Sequence, residues 1–191
     1  YFGENPNLKI QELYARLDGP AEASIPFFLV DEAADSLKNR KNRDQPFFMS
    51  INFWGPHTPC VLPEPYYSMY DPKKIPMDPA FEEALKGKPS HYTLISKMWG
   101  VYDLEWAEWQ KIIARYYGYI TMIDDAIGDF IKCLKEEGIY DNTLIIFSAD
   151  HGDAMGAHKL IEKGEFMLDA TYRIPLIAKH PYLKKPGVTC D

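Results

Sequence analysis

Apolar residues recur every three or four places between Phe27 and Asn39, at Phe28, Val30, Ala33, Ala34 and Leu37. That spacing lines one face of a helix, and Lys38, Arg40, Lys41 and Arg43 gather where its dipole turns negative. Asp44-Gln-Pro46 breaks the run, and residues 47–53, Phe-Phe-Met-Ser-Ile-Asn-Phe, predict a buried strand. The strongest helix pattern covers 105–137. Ile112, Ile113, Tyr116, Ile120, Ile123, Ile127, Phe130, Ile131 and Leu134 mark its apolar face, and Gly138 supplies the C-terminal cap. A second buried strand is expected over 143–148 and a third over 174–179.

Two stretches lack a period. Residues 1–24 read as an irregular lead-in punctuated by Gly3, Pro6, Gly19 and Pro20. From Pro56 to Pro89 lie eight of the fifteen prolines, which excludes regular helix or central strand there. Residues 60–105 therefore read as a lid-like excursion from a single partial domain. Its Tyr66 and Tyr67, with Trp99, Trp106 and Trp109, serve either ring stacking on a substrate or core packing. Helix–strand alternation occurs twice and predicts an α/β fold with a largely parallel sheet flanked by helices.

Composition narrows the partners. The net charge of -7 and pI near 5.3 argue against a nucleic-acid or anionic-membrane partner, because both need a basic face. No apolar run approaches the roughly 20 residues of a membrane span. Cys60, Cys133 and Cys190 form neither a zinc pattern nor an even disulfide set, which leans toward a reducing, cytoplasmic compartment. Tyr1-Phe-Gly-Glu has neither an initiator Met nor a signal-peptide pattern, so the chain reads as cut from something longer.

The chemistry collects beyond the strand ends, where open α/β sheets bind ligands. Asp150 and His151 follow strand 143–148, and a carboxylate beside an imidazole is a mixed ligand pair for a metal ion. Two ligands are not a site, so the rest must come from elsewhere. Lys163, thirteen positions after Asp150, is a suitable point charge for a sulfate or phosphate oxygen. His57, between Pro56 and Pro59 past strand 47–53, can donate a proton to a leaving group. His158 is the fourth candidate, as a substrate contact or as a histidine that steadies the turn after Gly156. Asp153 and Glu162 read as solvated or capping, and Asp124 and Asp125 as structural.

Four segments together resemble the second half of the catalytic domain of sulfatases, within the alkaline phosphatase superfamily. They are Gln45 through Pro-His57-Thr-Pro59, Tyr116 through Gly128, Asp141 through Asp150-His-Gly152, and Lys163-Gly164 through Tyr172-Arg-Ile-Pro-Leu-Ile177. The resemblance implies an incomplete sulfatase-like fold. It assigns Asp150 and His151 as late metal ligands, Lys163 as the contact to the transferred sulfate, and His57 as the histidine near the leaving oxygen. Leu168-Asp169 departs from the Tyr-Glu of many relatives.

The same resemblance puts the early metal aspartates and the nucleophile in a first half outside these residues. That nucleophile is a Cys or Ser in Cys/Ser-x-Pro-x-Arg, oxidised to formylglycine. Cys60-Val-Leu-Pro63 does not match it. The implied activity is hydrolysis of a sulfate ester of a small molecule or carbohydrate, with these residues inactive alone. The implied cofactor is a divalent metal, Ca or Mn, with Mg or Zn as alternatives. A phosphonate monoester or phosphodiester hydrolase on the same scaffold is the nearest rival, and a non-catalytic interaction module using the Tyr- and Pro-rich stretch is the other. A half-domain also predicts exposed apolar surface and self-association.

Overall fold

A computed structural model of the chain describes residues 13–83, 85, 87–182 and 187. Its elements are β1 (Tyr14–Arg16), α1 (Ile25–Lys38), β2 (Cys60–Leu62), α2 (Ser90–Met98), α3 (Trp106–Glu136), β3 (Ile145–Ser148), α4 (Asp169–Tyr172) and β4 (Leu176–Lys179). The two long helices fall where their periodicity predicts. Local devices fix the ends of α3. At its start the Glu108 carboxylate accepts from the Glu105 N–H at 3.1 Å. At its end Gly138 takes φ +69°. The Ile139 N–H then reaches Leu134 O at 3.1 Å and the Gly138 N–H reaches Lys135 O at 3.0 Å, the paired bonds of a Schellman cap.

The buried face of α3 is turned slightly from the sequence expectation. Ile112, Ile113, Ile123 and Leu134 are buried, but Ile120 is exposed, and Ala114, Tyr119, Met122, Ala126 and Cys133 fill the face instead. Alanines and a cysteine share this face with larger side chains because β1, β2 and the chain after β2 lie close against the helix. A Cβ on Gly118 would sit 2.2 Å from the Tyr66 carbonyl oxygen. Phe28 of α1 is likewise exposed, while Val30, Ala34 and Leu37 are buried. Ala34 and Leu37 join Cys133 and Leu134 of α3 in a common cluster.

The alternation of helix and strand is that of an α/β chain. Of the described strand pairs, β1–β2 is parallel and β3–β4 antiparallel. Two expectations about the strands need correction. The lead-in is not wholly irregular, since β1 pairs with β2 and the Leu17 N–H extends the pair to Leu62 O at 2.8 Å. Residues 47–53 form neither helix nor strand and have no strand partner among the described residues, and Phe48 is 95% exposed. β3 and β4 are also open, with Ile146, Phe147, Leu176 and Ile177 exposed. Such strands are apolar because something should cover them, and among the described residues nothing does. No described helix is long and apolar enough to cross a membrane.

The excursion at 60–105 is packed rather than loose. Tyr66, Phe81 and Tyr92 are buried, and Trp109 of α3 is fully enclosed. The Tyr66 hydroxyl donates to Asp125 at 2.7 Å, which gives that aspartate the structural role expected of it. The aromatic side chains of this stretch thus serve mainly to pack it onto α3. α2 stands against the segment after Lys163, with His91 Nε2 2.6 Å from Glu165 O and the Tyr92 hydroxyl accepting from the Met167 N–H at 3.1 Å.

Candidate active site

Two turns, far apart in sequence, build the candidate site. The first, residues 54–59, leads into β2. The second follows β3 and folds back on itself as a hairpin. In it the Ala154 N–H donates to Glu162 O at 2.9 Å, and the Gly156 N–H donates to Leu160 O at 2.8 Å. Among the described residues the positive-φ positions other than glycine are Met155, His158, Lys159 and Glu162, all in this hairpin. Left-handed backbone at such residues costs roughly 1 kcal/mol or more each. Burial sustains it here, for Leu160 and Ile161 are fully enclosed. Rigid placement of the residues beside Ile161 is the result.

Lys163 meets His57 across 106 positions, its Nζ hydrogen-bonded to His57 Nε2. On the other ring nitrogen, His57 Nδ1 lies 2.8 Å from Thr58 O. A carbonyl oxygen only accepts and an ammonium only donates. Nδ1 therefore carries the proton and Nε2 offers a lone pair to Lys163. The sequence reading made His57 the proton donor. In this geometry the proton at the contact belongs to Lys163, and His57 must receive one before it can give one. Trp54 covers the imidazole, with ring centroids 4.7 Å apart.

Beneath the pair sits Glu162, whose side chain is 3% exposed. Its Oε2 accepts from Lys163 Nζ at 3.1 Å and lies 3.6 Å from His57 Nε2. Its Oε1 accepts from the Thr58 hydroxyl and, at 3.4 Å, from the Thr58 N–H. Asp153 in turn accepts from the Met155 N–H at 2.8 Å and the Glu162 N–H at 2.9 Å. Burial pushes the Asp153 carboxyl up to about 6, with the nearby Glu162 charge adding and the two N–H bonds opposing. Burial also raises the Tyr14 and Tyr116 hydroxyls and the Cys60 thiol, again with Glu162 and Asp153 contributing. Glu162 is thus not the solvated or capping group the sequence suggested, whereas Asp153 does cap backbone N–H groups of the hairpin. A buried carboxylate leaves no local signature, although Glu162 set between Leu160-Ile161 and Lys163 was a usable hint.

Asp150 and His151 sit at the open end of β3, the Asp150 side chain 87% exposed. His151 Nδ1 is 2.8 Å from Gly152 O, so by the same rule it donates there and leaves the Nε2 lone pair free. That lone pair lies 3.6 Å from Asp150 Oδ2. Two acceptors facing each other with no proton between them suit a shared cation, and fixing the distal ring nitrogen on a carbonyl is how metal-binding histidines are oriented. Among the described residues no group of three or more His, Cys, Asp and Glu could hold a metal ion. Neither Asp150 nor His151 is hydrogen-bonded to His57 or Lys163.

The third residue of Asp-His-Gly is set by sterics. A Cβ on Gly152 would lie 2.0 Å from Ala170 O, and the Gly152 N–H donates to Thr171 O at 2.9 Å. His158 stands apart from the Lys163–His57 pair, its Nδ1 3.2 Å from Glu83 Oε2. Cys60 is buried in β2, its thiol 3.1 Å from Pro56 O.

Solved structures with a similar fold include phosphonate monoester hydrolases. The phosphonate monoester hydrolase from Silicibacter pomeroyi matches with a TM-score of 0.74 and 34% identity, over 88% of this chain and 35% of that one. The sulfatase family profile, described as Sulfatase, matches residues 27–189, and the chain belongs to that family. Among curated relatives, the multifunctional alkaline phosphatase superfamily protein PehA of Trinickia caryophylli is 33% identical over 84% of this chain and 33% of its own length. An arylsulfatase of Clostridium perfringens is 33% identical over 81% of this chain and 31% of its own length. The chain spans about a third of the length of these relatives.

Proposed function

We propose that these residues form the later part of the catalytic domain of a metal-dependent sulfuric ester hydrolase. The observation that carries this reading is the Lys163–His57 contact, made by two residues chosen from sequence as anion contact and leaving-group residue. Lys163 offsets charge on the sulfuryl oxygens. It orients His57 through the hydrogen bond they share, and His57 Nε2 takes up a proton from water and delivers it to the departing alkoxide oxygen. Glu162 below keeps the ammonium from drifting into solvent. Asp150 and His151 would hold one side of a divalent cation, which supplies Lewis-acid polarisation of the ester oxygen when bound. An imidazole ligand suits Mn or Zn better than Ca, which prefers oxygen. The early metal aspartates and the formylglycine nucleophile are expected outside these residues, so the 191-residue chain alone should be inactive.

A second reading is favoured by a specific observation. Phosphonate monoester hydrolases match this fold with TM-scores of 0.75 and 0.74, and a phosphonate ester would present a similar anionic tetrahedral centre to Lys163. The test is hydrolysis of p-nitrophenyl sulfate and p-nitrophenyl phenylphosphonate by the polypeptide that carries these residues. Faster sulfate turnover supports the first reading and faster phosphonate turnover the second. Neither activity, with Asp150→Ala leaving the biological role intact, would leave a non-catalytic module. Turnover by the 191-residue chain, abolished by Lys163→Ala, would contradict the claim that it is inactive alone.

A further inference from the structure

We infer that Glu162 is the positioning residue that bolts the His57 turn to the Lys163 hairpin and sets the proton arrangement of the pair; this rests on the reading of Lys163 and His57 given above. Four observations converge on it. Its carboxylate is nearly inaccessible. It makes contacts in both directions, Oε1 to the Thr58 hydroxyl and N–H and Oε2 to Lys163 Nζ. Its backbone is held at φ +64°. Finally, its own N–H is fixed by Asp153 at 2.9 Å. A strained backbone under a buried charge is expensive, and the expense is concentrated on a residue that itself has no open path to a substrate.

Only a carboxylate satisfies both sides. Thr58 presents two donors to Oε1, and Lys163, as an ammonium, presents a donor to Oε2. A glutamine offers one acceptor oxygen and one NH2 group. In either orientation the NH2 group faces a donor, at Thr58 or at Lys163. Glu162→Gln keeps the shape and removes the lock. With the lock gone, Lys163 is no longer held on His57 Nε2, and nothing fixes the ring as the Nδ1–H tautomer beyond its single bond to Thr58 O.

The experiment is nitrogen-15 NMR of the 191-residue chain, reading the His57 ring nitrogens and the exchange of the Lys163 Nζ protons with water. The wild-type chain should give one protonated and one bare ring nitrogen and slow Nζ exchange. Glu162→Gln should average the two ring signals and speed Nζ exchange by roughly tenfold or more, the factor carried by one lost charge-assisted hydrogen bond. Thr58→Val, which removes only the hydroxyl donor, should shift both readouts the same way by less, and it decides the matter if Glu162→Gln does not fold. Thr58→Ser should restore the wild-type pattern. A folded Glu162→Gln or Thr58→Val chain with the wild-type ring signals and Nζ exchange overturns the inference. The functional reading fails separately. If Glu162→Gln releases His57 while the polypeptide carrying these residues cleaves neither ester, the positioning role stands and the hydrolase reading falls.

Discussion

The two ends of this site are finished to different degrees. Around Lys163 the side chains are enclosed and cross-braced, with Glu162 and Thr58 buried and every polar atom of the carboxylate engaged. At the end of β3, Asp150 is almost fully exposed, His151 has a free nitrogen, and the strands leading to them show apolar faces to solvent. The difference teaches how a chain one third the length of its relatives divides the work. Under the proposed function, the braced end would handle protons and anionic oxygens. The open end would supply two ligands to a metal ion and need others from outside the described residues.

The largest effect should come from Gly152, packed against the Ala170 backbone between the two ends. Gly152→Ala puts a methyl group into the Ala170 carbonyl, and both neighbours are backbone, which cannot step aside. Chemical denaturation should report a loss of about 3 kcal/mol, at the upper end of overpacking costs. Cobalt or manganese titration sharpens the comparison next. Asp150→Ala should abolish whatever weak metal affinity the chain has, whereas Lys163→Ala should leave it unchanged. An equal loss in both would mean that the two ends are one site electrostatically.

Exposed strands give a third effect. Leu176 is 73% exposed on β4, and light scattering should show association that weakens in Leu176→Lys. A monodisperse wild-type monomer would mean that the open face is tolerated. The smallest effect concerns Cys60. Burial raises its thiol above the ordinary range, so the thiolate fraction falls and alkylation of the native chain should be far slower than of the unfolded chain. Rapid native alkylation at Cys60 would show that the floor of the braced end opens.

Much of the frame was legible in the sequence because it is locally encoded. The three-to-four spacing gave α1 and α3, Gly138 gave the end of α3, and the apolar runs gave β3 and β4. The expectation of exposed apolar surface came from the resemblance to half of a domain, since strands of Ile, Phe and Leu need cover from its other half. What failed was non-local. Residues 47–53 have strand composition but no backbone partner, and pairing is a property of two segments. Ile120 and Phe28 face solvent because close approach at Gly118 and the packing of α1 on α3 rotate each helix by less than a periodicity argument resolves. His57 and Lys163 could be linked from sequence only through resemblance. Glu162 was misread because burial of a carboxylate depends on what packs above it.

The central claim is that Lys163 and His57 act as one device. The direct measurement is a double-mutant cycle on kcat/KM for ester hydrolysis by the polypeptide that carries these residues, with Lys163→Ala, His57→Ala and both. Removing one preorganised group from such a site costs roughly 100-fold to 1,000-fold. If the two share one proton, the double variant should be no worse than the poorer single variant. Losses that multiply would mean that Lys163 and His57 serve separate steps and that their contact is incidental.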